Sequence, residues 1–107
     1  MTQKYIGHSF SFDEEPLEVT DAIIRKDRIS VDFIEDGEPG HLEATFDVAE
    51  GVYRGNFGYP RPDHHYHAEL RLYRAANGDC LLFGRYWWTS EPGGGLWLFH
   101  LSPETRA

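Results

Sequence analysis

Turn-forming residues recur at short intervals along the chain and leave only short segments between them. The strongest signals are Asp36-Gly37 and Asn77-Gly78, because both members of such a pair tolerate the positive φ of a type I′ hairpin turn. Glycine, proline and acidic residues mark further turns near 26–27, 50–51, 60–63 and 91–95. Short links between consecutive segments favour antiparallel neighbours, so the turns alone predict a meander.

Between the turns, apolar and polar residues alternate with the two-residue period of a half-buried strand. In HLEATFDV, residues 41–48, the apolar side chains at alternate positions from Leu42 to Val48 share a face. In AELRLYR, residues 68–74, Ala68, Leu70 and Leu72 are expected to face the core. The same rule puts four N-terminal residues on one face. These are Ile6, His8, Phe10 and Phe12.

The pattern predicts an all-β fold of about eight strands in one domain, residues 1–107. No convincing helix is found, because Pro16 and β-branched residues interrupt the best candidate at 14–24. Such a meander removes its edges by closing into a small barrel. The predicted strands cover residues 4–12, 20–26, 28–36, 40–48, 51–59, 65–74, 79–89 and 95–102.

The C-terminal half carries a family resemblance. The segments GVYRGNFGY, AELRLYRAANGDCLLFGRYWW and GGGLWLFHL resemble the hairpins of small calycin-type barrels, the lipocalin and avidin architecture. Members of that group are built from glycine-turned hairpins whose strands carry aromatic residues. The resemblance implies a closed up-and-down barrel and a small apolar ligand as its possible cargo, without naming that ligand.

Composition excludes several classes of partner. The net charge is −8, from 18 acidic and 10 basic residues, and a nucleic-acid binder needs a basic face instead. Nucleic acid and anionic membranes are therefore not expected as partners. The single cysteine, Cys80, cannot form an internal disulfide, and no signal peptide or apolar spanning run is evident. We therefore expect a cytoplasmic protein in which Cys80 is a buried structural thiol.

The stretch PRPDHHYHAEL, residues 60–70, holds three of the six histidines. On a strand, His65 and His67 would share a face, and Glu69 could add a carboxylate, so a divalent metal site is one hypothesis. The alternation argues against it, because Ala68 and Leu70 should face the core and leave these three side chains outside. A polar strand beginning, or a pH-sensitive or partner-contacting patch, is the alternative interpretation.

Aromatic residues are concentrated in the last strands and form the candidate binding set. Trp87 and Trp88 are consecutive, so they must point to opposite faces, and an exposed Trp beside Arg85 is typical of an interface hot spot. The sequence supplies no catalytic set. The candidate ligand- or partner-binding residues are Tyr53, Phe57, Arg85, Tyr86, Trp87, Trp88 and Trp97.

The acidic residues cluster in two loops, which we expect to be solvated. One loop holds Asp13, Glu14 and Glu15, and the other holds Glu35, Asp36 and Glu38.

Three functional hypotheses follow. The first is a non-enzymatic binding protein that engages a protein partner, or itself as a homodimer, through an aromatic and acidic surface. The second is a calycin-like barrel that binds a small apolar ligand, although large inward aromatics should leave little interior volume. The third is a metal-dependent enzyme that uses the His-x-His strand, although it lacks a complete catalytic set.

Overall fold

The chain forms eight antiparallel strands in sequence order, which close into an up-and-down barrel. The structure is a computed structural model and describes residues 3–11, 14–60, 66–88 and 93–104. No helix occurs in those ranges. The strands are β1 Lys4–Ser11, β2 Leu17–Ile24, β3 Arg28–Glu35, β4 Glu38–Asp47, β5 Val52–Gly58, β6 Tyr66–Arg74, β7 Cys80–Trp88 and β8 Gly95–Pro103.

Pairing of the first strand with the last seals the barrel and confirms the predicted fold class. β1 pairs with β8 from Tyr5↔Pro103 to Ser11↔Trp97 without a break in register. A backbone hydrogen bond from Glu104 N to Lys4 O, 2.8 Å long, extends this seam beyond the last pair. Closure leaves no unpaired edge among the eight described strands. An exposed strand edge is a common route by which all-β chains aggregate.

The turns follow the predicted positions but not all of the predicted types. Asp36 and Gly37 have φ values of 51° and 80°, so the β3–β4 hairpin has the positive φ at both positions that a type I′ turn requires. At Asn77-Gly78 only the glycine has positive φ. That connection is a longer loop in which Ala75 N donates to Asp79 O at 2.9 Å and Gly78 N donates to Ala75 O at 3.1 Å.

Side chains that point inward form one continuous core. Ile29, Val31 and Phe33 on β3 are fully buried, as are Ala68 and Leu70 on β6, which confirms the predicted alternation of those strands. Other fully buried side chains include Leu42, Leu82, Phe99 and Leu101. Burial of a Leu or Phe side chain stabilises the fold by about 1.5–3 kcal/mol, so these layers supply much of the driving force.

Ile6, His8 and Phe10 share a face, as predicted, and that face is the outside of the barrel; Phe12 lies outside the described residues. Two local predictions are corrected. Val48 lies beyond the end of β4 and is 85% exposed, because the chain already turns after Asp47. β2 begins three residues earlier than predicted, directly after Pro16.

The outward position of Ile6 and Phe10 on β1 follows from the small residues beside them that lie inward, Gly7 and Ser9. A Cβ on Gly7 would lie 2.0 Å from His100 O, so the backbone of β8 approaches β1 too closely for a side chain there. Ser9, also inward, is 1% exposed, and its hydroxyl has no hydrogen-bond partner among the described residues. Tyr5, at the closed end, is the large inward side chain of β1, whereas Ile6 and Phe10 lie outside.

One end of the barrel is closed. Tyr5, Tyr53 and Cys80 are buried there, and the Tyr53 hydroxyl donates to Arg25 O at 2.6 Å. The Arg74 guanidinium contacts Cys80 Sγ, at 3.5 Å from Nη1. The thiol is therefore buried, as predicted. The opposite end holds the candidate site.

Candidate functional site

The end of the barrel where β3, β5 and β7 terminate contains a cavity of about 120 Å³. We call it the cup. Six of its ten lining residues are aromatic. The lining residues are Ser11, Glu14, Leu17, Glu35, Phe57, Tyr59, Tyr66, Tyr86, Trp88 and Trp97. Seven of the eight strands, or residues beside their ends, therefore contribute to it.

Trp97 forms the floor of the cup. It is 3% exposed and packs against Phe57, with ring centroids 4.5 Å apart, and against Phe99 at 4.6 Å. Phe33 meets Trp97 edge to face at 5.7 Å from the core side. Edge-to-face and offset pairs of this kind add about 0.5–1.5 kcal/mol each beyond area burial, so the floor is a rigid platform.

The walls of the cup consist of rings that stand at steep angles to one another. Tyr59 and Tyr66 are inclined by 86° with centroids 6.1 Å apart. Tyr86 and Trp88 are inclined by 82° at 5.9 Å, and Tyr66 meets Trp88 at 61° and 6.3 Å. The four rings thus enclose the cavity from several directions, with Trp88 37% exposed at the rim.

Two carboxylates lie in the same cavity. The Tyr59 hydroxyl donates a hydrogen bond to Glu35 Oε1, and the Ser11 hydroxyl donates to Glu14 Oε2 at 2.9 Å. The described lining residues include no Lys, Arg or His. The prediction that both acidic loops are merely solvated is therefore incomplete, since each supplies a carboxylate to the cup.

The pKa values of the cup tyrosines report this environment. Burial is the largest cause that raises the pKa of Tyr59, and the hydrogen bond to Glu35 and the negative charge of that carboxylate add to it. Burial also raises the pKa of Tyr86, with further contributions from the charges of Glu14 and Glu35. Both hydroxyls are therefore protonated neutral groups at pH 7.

The predicted binding residues separate into three places. Phe57, Tyr86, Trp88 and Trp97 meet in the cup. Tyr53 lies at the closed end. Arg85 and Trp87 lie outside on β7, where the guanidinium carbon of Arg85 sits 4.8 Å from the Trp87 ring centroid.

Sequence reasoning did not single out Tyr66 or Glu35 as ligand-binding residues. Both could have been found by extending the alternation, since Tyr66 is two residues before the inward Ala68 and Glu35 is two residues after the inward Phe33. Tyr59 follows inward Phe57 by the same rule. The alternation could not predict which of these residues lie at the same level of the barrel, because that depends on the register between the strands.

Of the three residues in the metal-site hypothesis, the structure describes His67 and Glu69. His65 lies outside the described residues, so the His-x-His metal pair stays a prediction that zinc titration of the melting temperature would check. His67 stacks on Trp87 with ring centroids 5.4 Å apart, and Glu69 accepts hydrogen bonds from Arg54 at 2.9 and 3.0 Å. Within the described ranges, no three His, Cys, Asp or Glu side chains are grouped to hold a metal ion.

The outside of the barrel is divided into a charged side and an apolar side. On the charged side, His41 bridges Asp32 at 2.6 Å and Glu43 at 2.8 Å. The apolar side, here called the outer apolar face, lies on β1, β8 and β7. It consists of Ile6, Phe10, Leu81, Phe83, Leu96 and Leu98.

Comparison of the chain with protein-family models, with curated proteins and with solved structures found no match. No helix in the described part of the chain is long and apolar enough to cross a membrane.

Proposed function

We propose that the protein is a non-enzymatic, calycin-like barrel that binds a small organic molecule in the cup. The observation that carries this proposal is a solvent-open cavity of about 120 Å³ with aromatic walls, at one end of an otherwise filled barrel. Small-molecule sites are typically concave and largely apolar, with a few polar groups that fix orientation. Here those groups are the Ser11 and tyrosine hydroxyls and the two carboxylates.

The size of the cavity limits the ligand. An engineered cavity of about 150 Å³ lined by apolar side chains admits benzene. The cup is slightly smaller but open at its rim, where Glu14 is exposed. A ligand of benzene's size, or one group of a larger molecule that protrudes into solvent, therefore fits. Large inward aromatic residues were expected to leave little interior volume. In the middle of the barrel, Phe33, Leu70 and Phe99 fill the interior.

Two adjacent tryptophans provide a matched pair of variants for the test. Trp88 lines the cup, whereas Trp87 lies outside against His67. We would record ligand-observed NMR spectra with a panel of benzene-sized neutral, cationic and anionic compounds. At least one class should bind the parent chain and Trp87→Ala but not Trp88→Ala, with thermal melting to confirm that both variants fold. Binding by no class, or binding that survives Trp88→Ala, contradicts the proposal.

The outer apolar face supports a second candidate function, association with a second copy of the chain. Phe10, Leu98 and Phe83 are direct neighbours across β1, β8 and β7, and Phe10 and Phe83 are 39% and 42% exposed. Contiguous exposed apolar patches usually mark an interaction surface. The outward neighbours of these six residues on the same strands include His8, His100 and Arg85, none of which is acidic. Two acidic chains could therefore meet there with the least repulsion.

Sedimentation velocity tests this second candidate. Phe83→Glu should convert a dimer of the parent chain to monomer. Val48→Glu, which changes an equally apolar residue in the loop at the closed end, should leave the dimer intact. A monomeric parent chain at about 100 μM, well above the Kd of specific complexes, contradicts the candidate.

A further inference from the structure

The cup combines two features that a neutral apolar ligand would not use together. Its walls present the π surfaces of Tyr59, Tyr66, Tyr86 and Trp88 from several directions. Its only charged side chains among the described lining residues are the carboxylates of Glu14 and Glu35. Aromatic rings attract a cation through their quadrupole, most strongly where the site is partly desolvated, and nearby carboxylates act in the same direction.

Each carboxylate accepts a hydrogen bond from a neighbouring hydroxyl group. Glu35 accepts the Tyr59 hydroxyl, and Tyr59 itself packs edge to face on Phe33, with centroids 5.9 Å apart. Glu14 accepts the Ser11 hydroxyl at 2.9 Å. A site whose charges and rings are already ordered spends less free energy on organisation when a ligand arrives.

The wall chemistry also discriminates between kinds of cation. A primary ammonium has three N–H donors, each of which needs an acceptor once it leaves water. Six of the ten lining residues are aromatic, and ring faces satisfy such donors poorly. A methylated ammonium has few or no N–H donors, and its methyl groups pack directly on rings.

We propose that the cup binds a small methylated ammonium group, with Tyr66, Tyr86 and Trp88 in contact with its methyl groups and Glu35 as its counter-charge. This inference rests on the proposed function, since it specifies the ligand class of the same cavity. Anions are excluded by the two carboxylates. Uncharged apolar molecules are disfavoured because they would displace water from the Glu35 carboxylate without supplying a positive counter-charge.

Three probes that share a hydroxyethyl group separate the alternatives in isothermal titration at pH 7. Choline carries a trimethylammonium group. Its uncharged carbon isostere, 3,3-dimethylbutan-1-ol, has nearly the same shape, and ethanolamine has the charge without the methyl groups. Choline should bind about tenfold or more tightly than either, since a partly desolvated cation–π contact is worth about 1–2 kcal/mol and each 1.4 kcal/mol is tenfold.

A pair of charge-matched variants tests the role of Glu35. Glu35→Gln should weaken choline binding several-fold and leave the affinity for 3,3-dimethylbutan-1-ol unchanged or improved. Glu18→Gln removes the same charge from an exposed position outside the cup, on β2, and should leave choline binding within about twofold of the parent chain, since exposed charges at a distance are screened.

The outcomes distinguish this inference from the proposed function. If the uncharged alcohol binds as tightly as choline, the inference is overturned while ligand binding in the cup stands. Tightest binding by ethanolamine overturns the methylated class. If none of the three binds but another compound of the NMR panel binds through Trp88, only this inference fails. If nothing binds, both fail.

Discussion

The hydroxyl of Tyr59 donates a hydrogen bond to Glu35 and so joins the residue after β5 to the last residue of β3. β4, which begins at Glu38, lies between these two strands. The hydrogen bond therefore crosses over the start of β4 at the rim of the cup. Tyr59 also packs on Phe33 and Tyr66. One side chain therefore contributes a wall to the cup and fixes the position of its carboxylate.

Replacement of Tyr59 by Phe keeps the ring and removes the donor. We expect Tyr59→Phe to lower the free energy of unfolding by about 1–2 kcal/mol, because hydrogen bonds to charged groups are worth about 1.5–3 kcal/mol and this one is only partly buried. Urea unfolding gives the value. Tyr73→Phe removes a hydroxyl from an outward tyrosine that is 49% exposed, and its effect should stay within about 0.5 kcal/mol. Equal effects of the two changes would contradict the assignment.

Alkaline pH should destabilise the fold through the buried tyrosines. Burial raises the pKa values of Tyr53, Tyr59 and Tyr86 above the ordinary value of 10.0. The folded chain therefore holds these protons more tightly than the unfolded chain, and their contribution to stability is complete below pH 10 and declines above it. Absorbance at 295 nm should show the six tyrosines ionising in at least two groups. A single transition near pH 10 without loss of stability would refute this.

His41 should make a small pH-dependent contribution of the same sign, in a lower pH range. Burial alone would lower its pKa, but hydrogen bonds to Asp32 and Glu43 and the charges of both carboxylates outweigh burial and raise it. A raised pKa means that the stabilisation is fully present below pH 6.5 and is lost as pH rises through the higher folded value. Because His41 is about half exposed, the effect should be below about 1 kcal/mol.

A comparison of His41→Gln with the parent chain by urea unfolding measures this effect. The stability difference should be larger at pH 5.5 than at pH 8.5. In an Asp32→Asn background the same comparison should give a smaller pH dependence, because one of the two carboxylate partners is gone. A difference that does not change with pH would contradict the bridge.

Gly84 should be among the positions least tolerant of a side chain. It points inward on β7 between Leu70 and Trp97, and a Cβ there would lie 1.8 Å from Glu69 O. Backbone of a neighbouring strand cannot move aside without breaking the ladder, so Gly84→Ala should cost about 3 kcal/mol or more. Gly95→Ala, whose nearest neighbour would be Tyr86 at 3.4 Å, should cost less than about 1 kcal/mol. Thermal melting of both variants decides this.

Much of the fold could be predicted because turns and alternation are local properties. The Asp36-Gly37 hairpin and the strands on either side of it follow from residues that are close in sequence. The face of β1 could not be predicted in the same way. Two of its inward positions, Gly7 and Ser9, are small, and the backbone of β8, far away in sequence, lies against Gly7. Apolarity alone therefore does not show which side of β1 faces the core.

The cup was predicted in fragments. Phe57, Tyr86, Trp88 and Trp97 were predicted to bind a ligand or partner, in one set with Tyr53, Arg85 and Trp87, but the sequence did not indicate which of them meet in the barrel. The pairing of Gly84 with Leu70 and with Trp97 sets the height of the aromatic residues of β7 relative to those of β6 and β8. Such registers depend on closure of the whole barrel, so no single segment of sequence contains them.

The seam between β1 and β8 brings the two described ends of the chain together. Glu104 N lies 2.8 Å from Lys4 O, at the closed end and away from the cup. A fused reporter or an affinity handle attached on this side would leave the ligand mouth unobstructed.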